Sequence, residues 1–176
     1  MEIHKNMKNI KSILAIFGLL VVFTFAVSAQ TNLTAVGGGG AVNIEGQKGK
    51  VVVLAIGASW LPLSKEQAVI TNKLAKKYAG RDVVVYFVAT DSASAKSKNF
   101  ASDAEITAFA TKNKLSVSVL RDSDGAQTLK KFDVDQLPSF VVLDQNGKLA
   151  QVFGGIDTNP KNDISATISQ TIDKLL

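Results

Sequence analysis

Val51-Val52-Val53-Leu54-Ala55-Ile56-Gly57-Ala58-Ser59-Trp60-Leu61-Pro62-Leu63-Ser64 is the stretch from which the fold can be read. It opens with a continuous apolar run, β-branched at first, which reads as a strand buried on both faces. Gly57-Ala58-Ser59 interrupts the run. Pro62 suits the first turn of a helix, where a missing N–H costs nothing. Ile70, Leu74 and Tyr78 then recur every four residues as an apolar helical stripe, and Gly80 ends it. The pattern predicts a buried strand that feeds directly into an amphipathic helix.

Further along, Asp82 to Thr90 (DVVVYFVAT) predicts a second buried strand, and the small, polar Asp91 to Asn99 reads as a loop. Ser102-Asp103-Ala104-Glu105 is a capping-box signature, and the helix it opens carries Ile106, Phe109 and Ala110 on one face. Val117 to Leu120 reads as a short strand and Gly125 to Phe132 as a short helix. Ser139 to Leu143 follows Pro138 as a further strand. Asn146-Gly147, a strong hairpin signal, joins it to Lys148–Phe153. Pro160 starts a last helix with Ile164, Ile168, Ile172 and Leu175 on its apolar face. Strands that alternate with helices, then a hairpin and a helix, predict an α/β sandwich with a mixed central sheet.

The amino end has a different composition. Lys5, Lys8 and Lys11 precede the largely apolar run Ile13 to Val27, and Val27-Ser28-Ala29 is a small-residue cleavage signal. Residues 1–29 thus read as a secretory signal peptide, and Met7 offers a second start with a tighter basic region. The run is short for a membrane span, so membrane contact is expected only if this segment stays uncleaved as an anchor. Residues 30–47 are polar and contain Gly37-Gly38-Gly39-Gly40, which reads as a flexible leader. Asn32-Leu33-Thr34 is a three-residue glycosylation match. Residues 48–176 form the folded domain in this reading, with the length of a single core.

The 176 residues include no cysteine, one histidine and two methionines, with a formal net charge of +5. His4, Met1 and Met7 all fall in the signal segment. What remains lacks the thiolate and imidazole nucleophiles, the commonest general base and the soft metal ligands. Lipid attachment at a cysteine is excluded, as is stabilisation by disulfides. The lysines are scattered in pairs (Lys76-Lys77, Lys130-Lys131) without interleaved aromatics, which argues against nucleic acid. Asp122-Ser123-Asp124-Gly125 resembles part of a calcium loop. Leu120 and Lys131 stand where that pattern needs acids, leaving an Asp/Gly turn and no metal site.

The ordered elements resemble the thioredoxin-like fold with a central insertion. Gly49-Lys50 before the first strand, Ala58-Ser59-Trp60 with Pro62, Leu137-Pro138-Ser139-Phe140, Asp144-Gln145-Asn146-Gly147-Lys148 and Gly154-Gly155 are each similar to segments of one group. That group comprises the exported thiol-disulfide oxidoreductases and the related peroxiredoxins (alkyl hydroperoxide reductase/thiol-specific antioxidant type). The resemblance spans Gly49 to Leu176. It implies a three-layer sandwich, a cis-proline at Pro138, and a pair of cysteines at positions 61 and 64. Leu61 and Ser64 stand there instead. Gly57 replaces a usual aromatic, and Ala55 stands where many relatives carry a polar residue.

The family's chemistry needs a thiolate at the helix N-terminus and a second thiol to resolve the mixed disulfide. Leu61 cannot ionise, and Ser64 has no neighbouring base in the sequence to activate it. No residue is assigned a catalytic role. The candidate binding face is Trp60, Leu61, Pro62, Leu63 and Ser64 with Leu137, Pro138 and Ser139. Trp60 reads either as a platform for a partner or as a half-buried packing residue, and Leu61 and Leu63 as an apolar patch or as core. The leading expectation is an exported domain, periplasmic or extracellular, without thiol redox activity or cofactor. On that face it would hold a protein, peptide or small ligand, an envelope protein among them. The alternatives are the family's oxidoreductase or antioxidant activity, and a structural subunit docked on a redox partner.

Overall fold

The computed structural model describes residues 30–156 and 163–176. The signal segment 1–29 and Pro160 as the start of the last helix lie outside those residues. The elements are β1 (Asn32–Ala35), β2 (Ala41–Asn43), β3 (Val51–Gly57), α1 (Ser64–Lys77), β4 (Val83–Ala89), α2 (Asp103–Lys112), β5 (Ser118–Arg121), β6 (Ser139–Leu143), β7 (Leu149–Gly154) and α3 (Ile164–Leu175). The strands form one mixed sheet in the order β2-β1-β5-β4-β3-β6-β7.

The strand read first is the centre of the molecule. β3 runs parallel to β4 and antiparallel to β6, and all seven of its residues are buried. Alternation divides it between two cores. Val51, Val53 and Ala55 join Leu74, Tyr78, Phe87, Ile106, Phe140, Ile168 and Ile172 under the helices. Val52, Leu54 and Ile56 join Leu33, Ile44, Val88, Leu120, Phe132 and Val141 on the opposite face. The steps β3-α1-β4 and β4-α2-β5 move in one direction across parallel strands. Right-handed crossovers therefore place both helices on the same face. The central insertion expected from the sequence is α2 with β5.

The second face is covered differently from the expectation. Gly125 to Phe132 does not form a regular helix. A 3₁₀ turn at Ser123–Gly125 leads into successive turns that carry Phe132 onto the sheet. The Asp122 carboxylate accepts the backbone N–H groups of Gln127 and Thr128 and the Thr128 hydroxyl. Asp124 and Gly125 both take positive φ. A helix cannot run through two such residues.

The reading of residues 30–47 as a flexible leader is also corrected. They form the β1–β2 hairpin, and β1 extends the sheet by pairing antiparallel with β5. The glycines serve the turn. Gly37, Gly38 and Gly40 have positive φ, and the Ala35 N–H donates to the Gly40 carbonyl at 2.8 Å. Leu33 and Ile44 are fully buried and fasten the hairpin to the body. Glu45 adds a polar clasp, accepting the Thr31 N–H and hydroxyl and pairing with Lys131 at 2.6 Å. Burial pushes the Glu45 carboxyl up, but Lys131 and Thr31 outweigh it and hold it below the usual carboxylate range.

Two turn predictions are refined. α1 starts at Ser64 with Leu63 as its N-cap, so Pro62 lies just outside the helix. Asn146-Gly147 is not a two-residue turn. The Gly147 N–H donates to the Asp144 carbonyl, and Gly147 alone takes positive φ, which makes a wider loop with a register shift at Val142/Leu143.

Candidate functional site

The junction between β3 and α1 is built by backbone groups that the sheet leaves unpaired. The Gly57 carbonyl accepts the Thr90 N–H at 2.8 Å and the Thr90 hydroxyl at 3.0 Å, which ties the end of β3 to the end of β4. The chain then turns through Leu61 N–H to Ala58 carbonyl and Ser64 N–H to Leu61 carbonyl, and enters α1. No side chain caps this helix. α2 contrasts with it, since Ser102 and Glu105 complete a full capping box there. The open N-terminus of α1 keeps the positive end of a helix dipole beside position 61.

Below the turn lie polar groups without access to solvent. Ser64 is fully buried, and its Oγ accepts the Ala58 N–H at 3.3 Å. It serves there as a structural acceptor for the turn. Gln67, also fully buried, donates from Nε2 to the carbonyls of Ile56 at 3.1 Å and Ser139 at 2.8 Å. One amide thereby joins the helix to β3 and β6. Its Oε1 has no hydrogen-bond partner. Asp91 is fully buried at the end of β4, and its carboxylate accepts the Ser59 N–H at 3.1 Å and the Ser59 hydroxyl at 2.5 Å.

The eight candidate residues separate into a surface and a floor. Trp60 is 47% exposed and Pro62 is exposed, while Leu61 and Leu63 are half-buried. Leu137 is half-buried and packs on the second core. Ser64, Pro138 and Ser139 are buried beneath. The Leu137–Pro138 peptide is cis. The Ser139 hydroxyl donates to the Gln136 carbonyl. A ligand on this face would touch Trp60 to Leu63 and the Leu137 segment, with Ser64 and Ser139 supporting them from below.

Sequence reading missed Asp91, Gln67 and their ties to Ser59 and Ser139. A signal existed for Gln67: with Ser64 and Thr71 it puts three polar groups on the buried face of α1, alongside Leu74. Asp91 had a weaker one, a lone acid closing an apolar strand. Among the described residues no group of three or more His, Cys, Asp or Glu could hold a metal.

Positions 23–168 match the Redoxin family model. The chain belongs to the Redoxin family. Solved structures similar to this redoxin include thiol-disulfide oxidoreductases with the thioredoxin-like fold. A putative thiol:disulfide interchange protein DsbE from Chlorobium tepidum is 22% identical with a TM-score of 0.66, over 82% of this chain and 94% of its own. The exposed lipoprotein thioredoxin Etrx1 from Streptococcus pneumoniae is 28% identical with a TM-score of 0.65, over 84% of this chain and 100% of its own. A secreted disulfide oxidoreductase from Mycobacterium tuberculosis, homologous to DsbE, is 21% identical with a TM-score of 0.62, over 83% and 96%. No curated protein matches the chain in sequence. This redoxin carries no cysteine at all.

Proposed function

We propose that this redoxin is an exported binding domain that works without thiol redox chemistry. It holds a protein or peptide partner on the face formed by Trp60, Leu61, Pro62 and Leu63 with the Leu137 segment. The observation that carries the reading is the pairing of a thioredoxin-like scaffold with Leu61 and Ser64 where the family resemblance implies cysteines. The cis Leu137–Pro138 bond and the uncapped start of α1 persist around that altered centre. Strand addition beside such a proline uses backbone hydrogen bonds and needs no cysteine. Export rests on the signal-like residues 1–29 and on the resemblance to secreted and surface-exposed thioredoxins.

Insulin reduction and peroxide consumption by purified, metal-free protein test the central claim. Neither should exceed the protein-free rate, and turnover in either assay overturns the reading in favour of family oxidoreductase or antioxidant activity. Fractionation of the expressing cell, with sequencing of the mature amino terminus, tests export. Recovery of full-length protein in the cytosol would overturn it.

A further inference from the structure

The two ends of the sheet differ in charge. Beyond the carboxyl ends of β3 and β4, acids match bases. Lys65 is followed by Glu66. The loop of Lys96 and Lys98 leaves from Asp91 and is bonded to Asp124 through the Ser92 hydroxyl. Arg121 closes that loop, donating to the Ser92 carbonyl at 3.1 Å and the Ala101 carbonyl at 2.7 Å, and pairs with Asp103.

The amino ends of β3 and β4 carry a different balance. β3 is entered through exposed Lys48 and Lys50, and β4 through exposed Arg81 and Asp82. The Val51 N–H donates to the Asp82 carbonyl, which sets the two entrances side by side. β6 runs against β3, so the hairpin after it, with Asp144 and the exposed Lys148, lies at this end too. The Gly49 N–H donates to its Gln145 carbonyl. All three helices also finish here. α1 closes on Lys76 and Lys77. α2 closes on Lys112, followed by Lys114, whose carbonyl accepts the Asn72 side-chain amide of α1 at 2.9 Å. Near the end of α3, Asp173 pairs with Lys77 and Arg81, which brings Lys174 beside them.

Among the described residues this end holds nine exposed bases and three acids. Asp173 is shared by two of the bases and offsets one. The Leu176 carboxylate and the negative poles of three helix dipoles, about half a charge each, narrow the excess without closing it. Those poles do not account for Lys48, Lys50 and Lys148, which stand on a strand entrance and a hairpin. Apolar exposure divides the same way. The exposed aromatics of the described residues, Trp60 and Phe100, are at the balanced end, whereas Leu149 at 46% and Leu176 at 41% exposure stand next to Lys148 and Lys174. A basic surface with interleaved leucines and no exposed ring suits a lipid headgroup layer better than nucleic-acid bases, which stack on aromatics.

We propose that this end rests on a membrane surface rich in anionic phospholipid. Its ammonium groups meet the headgroup phosphates, and Leu149 and Leu176 enter the interface. The bases spread from the three helices to the β6–β7 hairpin, a spread that a plane engages at once. Trp60 then points away from the lipid, and the face proposed above stays open. The inference goes beyond that face and does not depend on its partner.

Cosedimentation of the purified chain with vesicles tests this. Phosphatidylcholine vesicles with phosphatidylglycerol at about one lipid in three should bind it about tenfold or more tightly than phosphatidylcholine alone, and binding should weaken as salt rises. K112E/K148E and K96E/K98E change the net charge equally and share residues 1–29, so only position separates them. The first should lose about tenfold or more in binding, and the second should stay within about twofold of wild type. K112Q/K148Q, a gentler change at the end of α2, should fall in the same direction. Emission from Trp60, the one tryptophan, should hold steady on binding. Equal losses in the two charge-reversed variants, no preference for phosphatidylglycerol, or a shift of Trp60 emission would each overturn the proposal. Binding to soluble polyphosphate as tight as to the vesicles, unchanged by Leu149→Ser, would replace the membrane with a soluble polyanion.

Discussion

The Oε1 atom of Gln67 fills the space into which a side chain at Gly57 would project. A Cβ built on Gly57 would lie 2.2 Å from Gln67 Oε1 and 2.8 Å from Ser64 Oγ. This chain has a glycine here, against the fully buried Gln67 amide. The two residues form one packing unit, so Gly57→Ala should cost about 1–3 kcal/mol through overpacking. Gln67→Ala removes the obstruction but leaves the Ile56 and Ser139 carbonyls without their donor. In a double-mutant cycle by urea denaturation, the pair should destabilise by less than the sum of the single changes. Additive effects would show that the two residues are independent.

Ser59 and Asp91 make a second tie at the same junction. Asp91 is fully buried, and its carboxylate has the Ser59 N–H and hydroxyl as donors. Ser59→Ala removes the hydroxyl donor and should cost about 1–3 kcal/mol, the usual penalty for an under-satisfied buried polar group. Trp60 is the neighbouring residue, so loosening of this turn should also change its emission. Unchanged stability with unchanged emission would show that the backbone N–H alone suffices.

Arg121 should resist conservative exchange. Its planar fork reaches two carbonyls and a carboxylate at once, a geometry that an ammonium cannot copy. Arg121→Lys should speed amide exchange across residues 92–101 while leaving β3 and β4 protected. Protection that falls equally across the sheet would mean that Arg121 supports the whole fold instead of this loop.

Acid should uncouple α3 from α1. Asp163 caps α3 through the Ser165 N–H and pairs with Lys73, and its carboxyl is lowered from 3.8 to about 2, Lys73 being the leading cause. A depressed carboxyl adds stability above its unfolded value and loses it as pH falls through the folded value, so this contribution should fade from about pH 4 to pH 2. The pair is solvent-exposed, so Asp163→Asn, which keeps a capping oxygen, should cost at most about 1 kcal/mol near neutral pH. Asp163→Ala loses the cap as well and should cost roughly 0.5–2 kcal/mol more. Thermal melts at neutral pH and near pH 2 check this. A gap between wild type and Asp163→Asn that persists at pH 2 would refute the charge contribution.

What the sequence reveals depends on how local the cause is. β3 and β4 are legible because strands buried on both faces are continuously apolar, and the Ser102–Glu105 cap because its two hydrogen bonds span three residues. The hairpin at residues 32–43 is opaque. Four glycines look like slack, and only tertiary contact shows Leu33 and Ile44 reaching the core. The segment 125–132 misleads because the Asp122 carboxylate and two left-handed residues override its helical pattern. At the candidate face, Trp60 and the Leu137–Pro138 bend stand out by type, whereas the roles of Gln67 and Asp91 exist only once β4, β6 and α1 have met.

The amino-terminal hairpin bears on how this protein stands relative to whatever it is attached to. Thr31 is already buried and bonded to Glu45, and β1 begins one residue later. A chain cut after Ala29 would have almost no free length before its first sheet hydrogen bond. In such a chain the first sheet strand would itself be the point of attachment. An affinity tag or surface anchor joined there needs its own spacer, or it will press against the sheet edge formed by β1 and β2.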